Sequence, residues 1–156
     1  MPVESPRISR LGSGDRAIAK TLFATMADVF EETRAPLSDS YVDSLLARED
    51  LWVLAATVGT NIVGGLTAHT LPMTRSESRE IFIYDLAVRA DHQRRGIGRL
   101  LIAHLRRIAA EAGIDDLFVP ADNEDTHALE FYRAIGGTPS PVTIFTFERD
   151  RGASDR

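Results

Sequence analysis

Ile81-Phe82-Ile83-Tyr84-Asp85-Leu86-Ala87-Val88-Arg89-Ala90-Asp91-His92-Gln93-Arg94-Arg95-Gly96-Ile97-Gly98 is the stretch on which the fold turns. It opens as an apolar, β-favouring run and crosses a short polar loop. It then reaches Gly96 and Gly98, where a long amphipathic segment begins. The order is strand, loop, helix N-terminus. A helix N-terminus presents unpaired backbone N–H groups at the positive end of aligned peptide dipoles, which suits an anion. Glycine lets a ligand approach the backbone, and arginine adds forked donors matched to phosphate. Gln93, Arg94, Arg95, Gly96, Ile97 and Gly98 therefore read as a pyrophosphate cradle. The bland alternative is a glycine-containing turn into a surface helix with solvated arginines.

Beyond the cradle, Leu101, Leu105, Ile108 and Ala112 fall on one helix face, and Gly113 stands where a C′ glycine would end that helix. Asp116 to Val119 is a short strand stopped by Pro120. Ala121 to Thr126 is a polar turn, and His127 to Ile135 is helical up to Gly136-Gly137. Val142 to Glu148 alternates as a last strand, and Arg149 to Arg156 is a frayed tail. Before the cradle, Arg7 to Leu11 is a short strand. A helix runs from Ala17 through Ile18, Leu22, Met26, Val29 and Phe30, and Ser38 to Ser40 cap a second one through Leu45 and Leu46. Leu51 to Val58 and Ile62 to Leu71 flank Gly59-Thr60-Asn61 as an antiparallel hairpin, followed by the strand Ile81 to Val88. Consecutive strands call for antiparallel pairing, and the strand–helix–strand unit around Gly98 calls for a parallel crossover. The fold class is α/β (α+β): a mixed, mostly antiparallel sheet with helices on both faces.

The chain's 156 residues suit one domain spanning 1–156 with a sizeable core. Eighteen basic against 23 acidic residues give a net charge of −5. That argues against nucleic acid as the main partner, which needs a concentrated basic face, and is compatible with a cationic substrate. Without cysteine there is no disulfide, thiolate nucleophile or cysteine metal site. His69, His92, His104 and His127 have no metal-ligand spacing, so no metal is expected. No signal-peptide core or membrane-length apolar run is present, which points to the cytoplasm and away from a membrane. Gly12-Ser13-Gly14-Asp15-Arg16-Ala17 matches a dinucleotide fingerprint in letters. The preceding Arg7-Ile8-Ser9-Arg10-Leu11 is too polar for a buried parallel strand, so the glycines read as a turn into the first helix.

Gln93-Arg94-Arg95-Gly96-Ile97-Gly98, followed by Ala128-Leu129-Glu130-Phe131-Tyr132-Arg133-Ala134-Ile135-Gly136, resembles the two signature motifs of the GCN5-related N-acetyltransferase (GNAT) superfamily, over roughly Arg7 to Phe147. Leu71-Pro72, Tyr84-Asp85-Leu86-Ala87-Val88, His92 to Ile97 and the acids after Ala121 resemble more narrowly the type I aminoglycoside 3-N-acetyltransferases. The resemblance implies a GNAT fold and acetyl-CoA as cosubstrate. It also implies backbone pairing of Leu86, Ala87 and Val88 with the pantetheine arm, an acceptor amine on an aminoglycoside (the 3-amino group), and antibiotic resistance. A homodimer is compatible with it, with the Val142–Glu148 strand at the interface.

Tyr132 matches the tyrosine that many members use as a general acid toward the departing thiolate, although a core tyrosine beside Phe131 is the plain reading. An acceptor ammonium must lose a proton before attack, and Asp85, ahead of Tyr84, is the favoured base. In a regular strand only one of Tyr84 and Asp85 faces a cleft, and a bulge would bring both there. Asp122, Glu124 and Asp125, with Glu31 and Glu32, are candidate contacts for a cationic acceptor, although acids near a helix start also serve as caps. Two other readings compete. One keeps the fold and takes a polyamine, another small amine or a protein amine; the other is a CoA-binding regulatory module without catalysis.

Overall fold

A computed structural model describes residues 4–149. In chain order the elements are β1 (Arg7–Arg10), α1 (Arg16–Val29), α2 (Asp39–Leu46), β2 (Leu51–Val58), β3 (Asn61–Pro72), β4 (Arg79–Val88), a 3-10 turn (Ala90–His92), α3 (Ile97–Glu111), β5 (Asp116–Phe118) and α4 (Thr126–Ala134). The chain divides into two compact units, one ending at Pro120 and the other beginning at Ala121.

The first unit holds a sheet in the order β1-β2-β3-β4-β5. The first three pairings are antiparallel, and β4 pairs with β5 in parallel through the α3 crossover. The mixed, mostly antiparallel sheet expected from the sequence is thus present. Among the described residues β1 pairs with β2 alone, as an edge strand, and Gly14 at φ 98° turns the chain into α1. The strand that precedes the Gly12–Gly14 turn is antiparallel to its neighbour, which is not the setting of a dinucleotide site.

Alternation along the strands sorts the core into two layers. Leu51, Val53 and Ala55 of β2 and Ala87 of β4 pack with Leu22 and Met26 of α1 and Val42 and Leu46 of α2. The intervening Leu54, with Leu66 and Ile81, is fully buried on the opposite face, where α3 packs with Leu101, Ile102, Leu105 and Ala109 buried. Ala112, expected on that buried stripe, is exposed, because the helix ends there as its C-cap. Truncating Leu22 to alanine would cost about 2–5 kcal/mol, the usual range for a core leucine. Its side chain lies so close to β3 that a Cβ on Gly65 would collide with it and sit 2.7 Å from the Leu54 carbonyl oxygen. Ser38 caps α2 by accepting from the Tyr41 N–H at 3.2 Å, as its position predicts.

In the second unit Asp125 caps α4, its carboxylate accepting from the Ala128 N–H at 3.0 Å. Gly136 at φ 99° ends the helix, and the Gly137 N–H donates to the Tyr132 carbonyl at 2.8 Å. The strand expected over Val142–Glu148 is absent: no strand is formed from residue 135 to residue 149. The alternating pattern supplies β-propensity, but a strand requires a ladder partner, and no described residue pairs with this segment. Val142, Ile144, Phe145 and Phe147 are 72–95% exposed. Of the tail Arg149–Arg156, residues 150–156 lie outside the described residues.

Candidate active site

In the first unit the site begins where β4 and β5, at one end of the sheet, stop pairing. Their ladder covers Glu80–Asp116, Ile81–Leu117 and Phe82–Phe118. From Ile83 to Val88 the β5 side of β4 has no neighbouring strand among the described residues. The backbone of Leu86, Ala87 and Val88 therefore offers an open ladder to an extended, amide-bearing ligand.

On the other side of β4 the register slips by one residue. Asp85 lies opposite Thr67 while Ile83 lies opposite Ala68, which leaves Tyr84 as an extra residue in β4. Ile83 keeps its place in the α3 face at 2% exposure. The Tyr84 ring meets Phe82 at 5.5 Å and His69 at 5.9 Å, both edge-on. Asp85 accepts a hydrogen bond from Thr67 and interacts with the charge of His69. The bulge thus brings Tyr84 and Asp85 to one side of the sheet, where regular alternation would have separated them.

Asp85 is half-buried, and burial is the main cause that raises its pKa. The nearby charge of Glu32 raises it further, while the Thr67 hydrogen bond and His69 act in the opposite sense. Glu32 reaches this position through the end of α1. Its N–H donates to the Ala27 carbonyl at 2.9 Å, and Glu31 takes the left-handed conformation at φ 57°, where glycine is usual. Such a backbone costs a non-glycine residue about 1–2 kcal/mol. Glu32 also pairs with Arg34 at 3.2 Å. Two carboxylates in mutual electrostatic reach, one partly desolvated, attract a cation and can take a proton from it.

The cradle follows the same strand. The Gln93 side-chain amide donates to the Val88 carbonyl at 2.9 Å, which ties the loop to the end of β4. Arg94 at φ 62° and Gly96 at φ 80° take left-handed backbone conformations. Arg94 and Glu31 are the non-glycine residues with positive φ among the described residues, and each lies in a loop beside the site. α3 starts from Gly96 with no side-chain cap, and no described acceptor takes the N–H groups of Arg94, Arg95, Gly96, Ile97 or Gly98. These donors and the exposed arginines suit a pyrophosphate.

The remaining candidates lie in the second unit. Tyr132 is partly buried, and its phenol is held above the usual range by burial and then by the Asp125 charge. Its ring meets Phe131 at 5.1 Å. Asp122 closes a turn by accepting from the Glu124 N–H at 2.9 Å, and Asp125 is the α4 cap, so both acids have local structural roles. Glu124 is exposed. Thr67, His69, Phe82 and Phe118 were missed from the sequence. The i, i+2 spacing of Thr67 and His69 was visible, but their register against β4 was not. No group of three or more potential metal ligands occurs among the described residues.

The Acetyltransferase (GNAT) family matches residues 18–136. The chain is similar to the aminoglycoside acetyltransferase meta-AAC0020 from an uncultured soil metagenomic sample, solved in complex with trehalose. The two share 33% identity and a TM-score of 0.86, over 92% of this chain and 95% of that one. It is also similar to the aminoglycoside acetyltransferase HMB0005 from an uncultured soil metagenomic sample, at 34% identity and a TM-score of 0.87, over 94% and 99% of the two chains. AAC(6')-Iy, solved with a bisubstrate analogue, shares the fold at 16% identity and a TM-score of 0.78, over 93% and 99%. No curated protein matches the chain.

Proposed function

The chain belongs to the GNAT acetyltransferase family, with acetyl-CoA as cosubstrate, and from that premise we propose that it transfers acetyl to the 3-amino group of an aminoglycoside and so confers resistance. The observation that carries this reading is the bulge at Tyr84, which turns Asp85 to the same side of the sheet as Tyr84, within electrostatic reach of Glu32. An aminoglycoside is a polycation, and paired carboxylates suit it. Similarity to aminoglycoside acetyltransferases at 33–34% identity supports the same acceptor.

In this reading Asp85 binds the acceptor ammonium and takes its proton, with Tyr84 beside it. The freed amine attacks the thioester carbonyl, the C–N bond forms as the C–S bond breaks, Tyr132 gives its proton to the leaving sulfur, and the proton shed by the new amide nitrogen restores the Tyr132 phenol. Gln93 to Gly98 hold the pyrophosphate, and Leu86, Ala87 and Val88 hold the pantetheine amides. Glu31, Glu32, Asp122, Glu124 and Asp125 supply negative charge for the acceptor's other amines. Residues 1–156 act as a single catalytic domain in the cytoplasm. Among the described residues no helix is long and apolar enough to cross a membrane. The exposed apolar run at Val142–Phe147 favours a homodimer that covers it, and sedimentation at micromolar concentration is expected to give twice the mass of one chain.

The deciding experiment is an acetyl-CoA-coupled assay over gentamicin-class aminoglycosides with spermidine as control, followed by mass mapping of the acetylated nitrogen. Acetylation at the 3-amino position with little turnover of spermidine is expected. No turnover across the aminoglycoside panel would sink the acceptor claim.

A further inference from the structure

Four rings cross the sheet in an unbroken row on the side to which Asp85 turns. Phe118 on β5 stacks on Phe82 of β4, with centroids 5.1 Å apart and planes 25° apart. Phe82 meets Tyr84 at 5.5 Å, and Tyr84 meets His69 of β3 at 5.9 Å. The register accounts for the row, since His69, Phe82 and Phe118 are direct ladder neighbours and the bulge adds Tyr84 on the same side. Tyr84 is 63% exposed and Phe118 43%, whereas Ile81 and Ile83 on the opposite face are buried. Exposed aromatics in contact with one another call for an occupant.

We propose that the Phe118–Phe82–Tyr84–His69 row is a stacking shelf for a pyranose ring, and that it selects acceptors by the apolar face of a sugar while Asp85 and Glu32 hold its ammonium groups. The charge beside it argues for this occupant. An aminosugar has C–H bonds on its ring faces and cationic amines at its edge, and the shelf presents aromatic surface whose His69 end lies within electrostatic reach of Asp85, which in turn feels the charge of Glu32. An ammonium near the Tyr84 ring gains cation–π attraction as well. A linear polyamine would satisfy the carboxylates and leave the rings uncovered. The shelf therefore separates ring-bearing amines from flexible ones, which charge alone does not do. This inference rests on the aminoglycoside reading for its natural ligand, but the surface itself can be probed with a neutral sugar.

The test is saturation-transfer NMR on the full chain with trehalose, a neutral disaccharide, together with steady-state kinetics on gentamicin. Saturation of aromatic protons is expected to reach trehalose, and Tyr84→Ala and Phe118→Ala are expected to abolish that transfer while Tyr84→Phe keeps it. In Phe118→Ala the KM for gentamicin should rise by about tenfold, the scale of one lost aromatic contact, with the Kd for acetyl-CoA unchanged. If trehalose receives no saturation, or receives it equally in the alanine variants, the shelf is refuted whether or not gentamicin is acetylated. If transfer is lost in the alanine variants while no aminoglycoside is acetylated, the shelf stands and the acceptor reading fails.

Discussion

Replacing Asp85 by asparagine separates the chemistry of this site from its stability. In the folded chain burial raises the Asp85 pKa most and the Glu32 charge adds to the effect, against the Thr67 hydrogen bond and His69. A carboxyl whose folded pKa lies above its unfolded value of about 3.9 makes folding less favourable wherever both states are ionised, at pH above the folded pKa. Asparagine keeps the shape, removes the charge facing Glu32 and retains an oxygen for Thr67. Asp85→Asn should therefore melt higher than wild type at pH 7, by about 2–4 °C for each kcal/mol of penalty removed in a chain of this size. The gain should shrink as pH falls through the raised pKa and vanish below about 3.9, where both states of the wild type carry a neutral Asp85. At neutral pH kcat should drop by about 10²–10⁴, the usual contribution of a general base. Calorimetry across this pH range, paired with steady-state acetylation, measures both. A variant less stable than wild type at pH 7, or more stable by the same amount at every pH, would refute the electrostatic account. Full activity would refute the role of base.

Other substitutions probe the rest of the site. Tyr132→Phe keeps the ring contact with Phe131 and should leave the Tm within about 1–2 °C while lowering kcat by about 10–100-fold, as stopped-time product analysis would show. Gly96→Ala places a side chain at φ 80° with nothing within 4 Å of its Cβ. The cost should therefore be strain alone, about 1–2 kcal/mol, seen as a lower urea midpoint and roughly tenfold weaker acetyl-CoA binding by calorimetric titration. Gly64→Ala should do more damage, because its Cβ would lie 2.5 Å from the Ala87 carbonyl oxygen and 3.1 Å from the Val88 Cα. Neither backbone can yield without parting β3 from β4, so we expect a loss of about 1–3 kcal/mol in chemical denaturation.

The strand, loop and helix start that form the proposed pyrophosphate cradle were legible because they are local. Gln93 to Gly98 follow one another along the chain, and the strand before them and the helix after them are announced by residue type and period. The edge position of β1 could likewise be read from its arginines, and the Ser38 cap from its place ahead of an apolar period. The acids after Ala121 were harder: Asp122 and Asp125 close a turn and cap a helix, local roles that their positions also allowed. Val142–Glu148 misled because alternation records what a strand would bury, whereas a strand exists only where a second backbone accepts its hydrogen bonds.

The sequence by itself determined the family, the order of elements and the loop that offers its N–H groups to an anion, since each depends on residues adjacent along the chain or at helical and strand periods. Only the tertiary structure decided where Asp85 points. That depends on a one-residue slip between β3 and β4, which places Tyr84 outside the ladder and turns both side chains to the side where His69 and the charge of Glu32 meet them. The slip is a property of two strands together, and neither strand's own letters encode it.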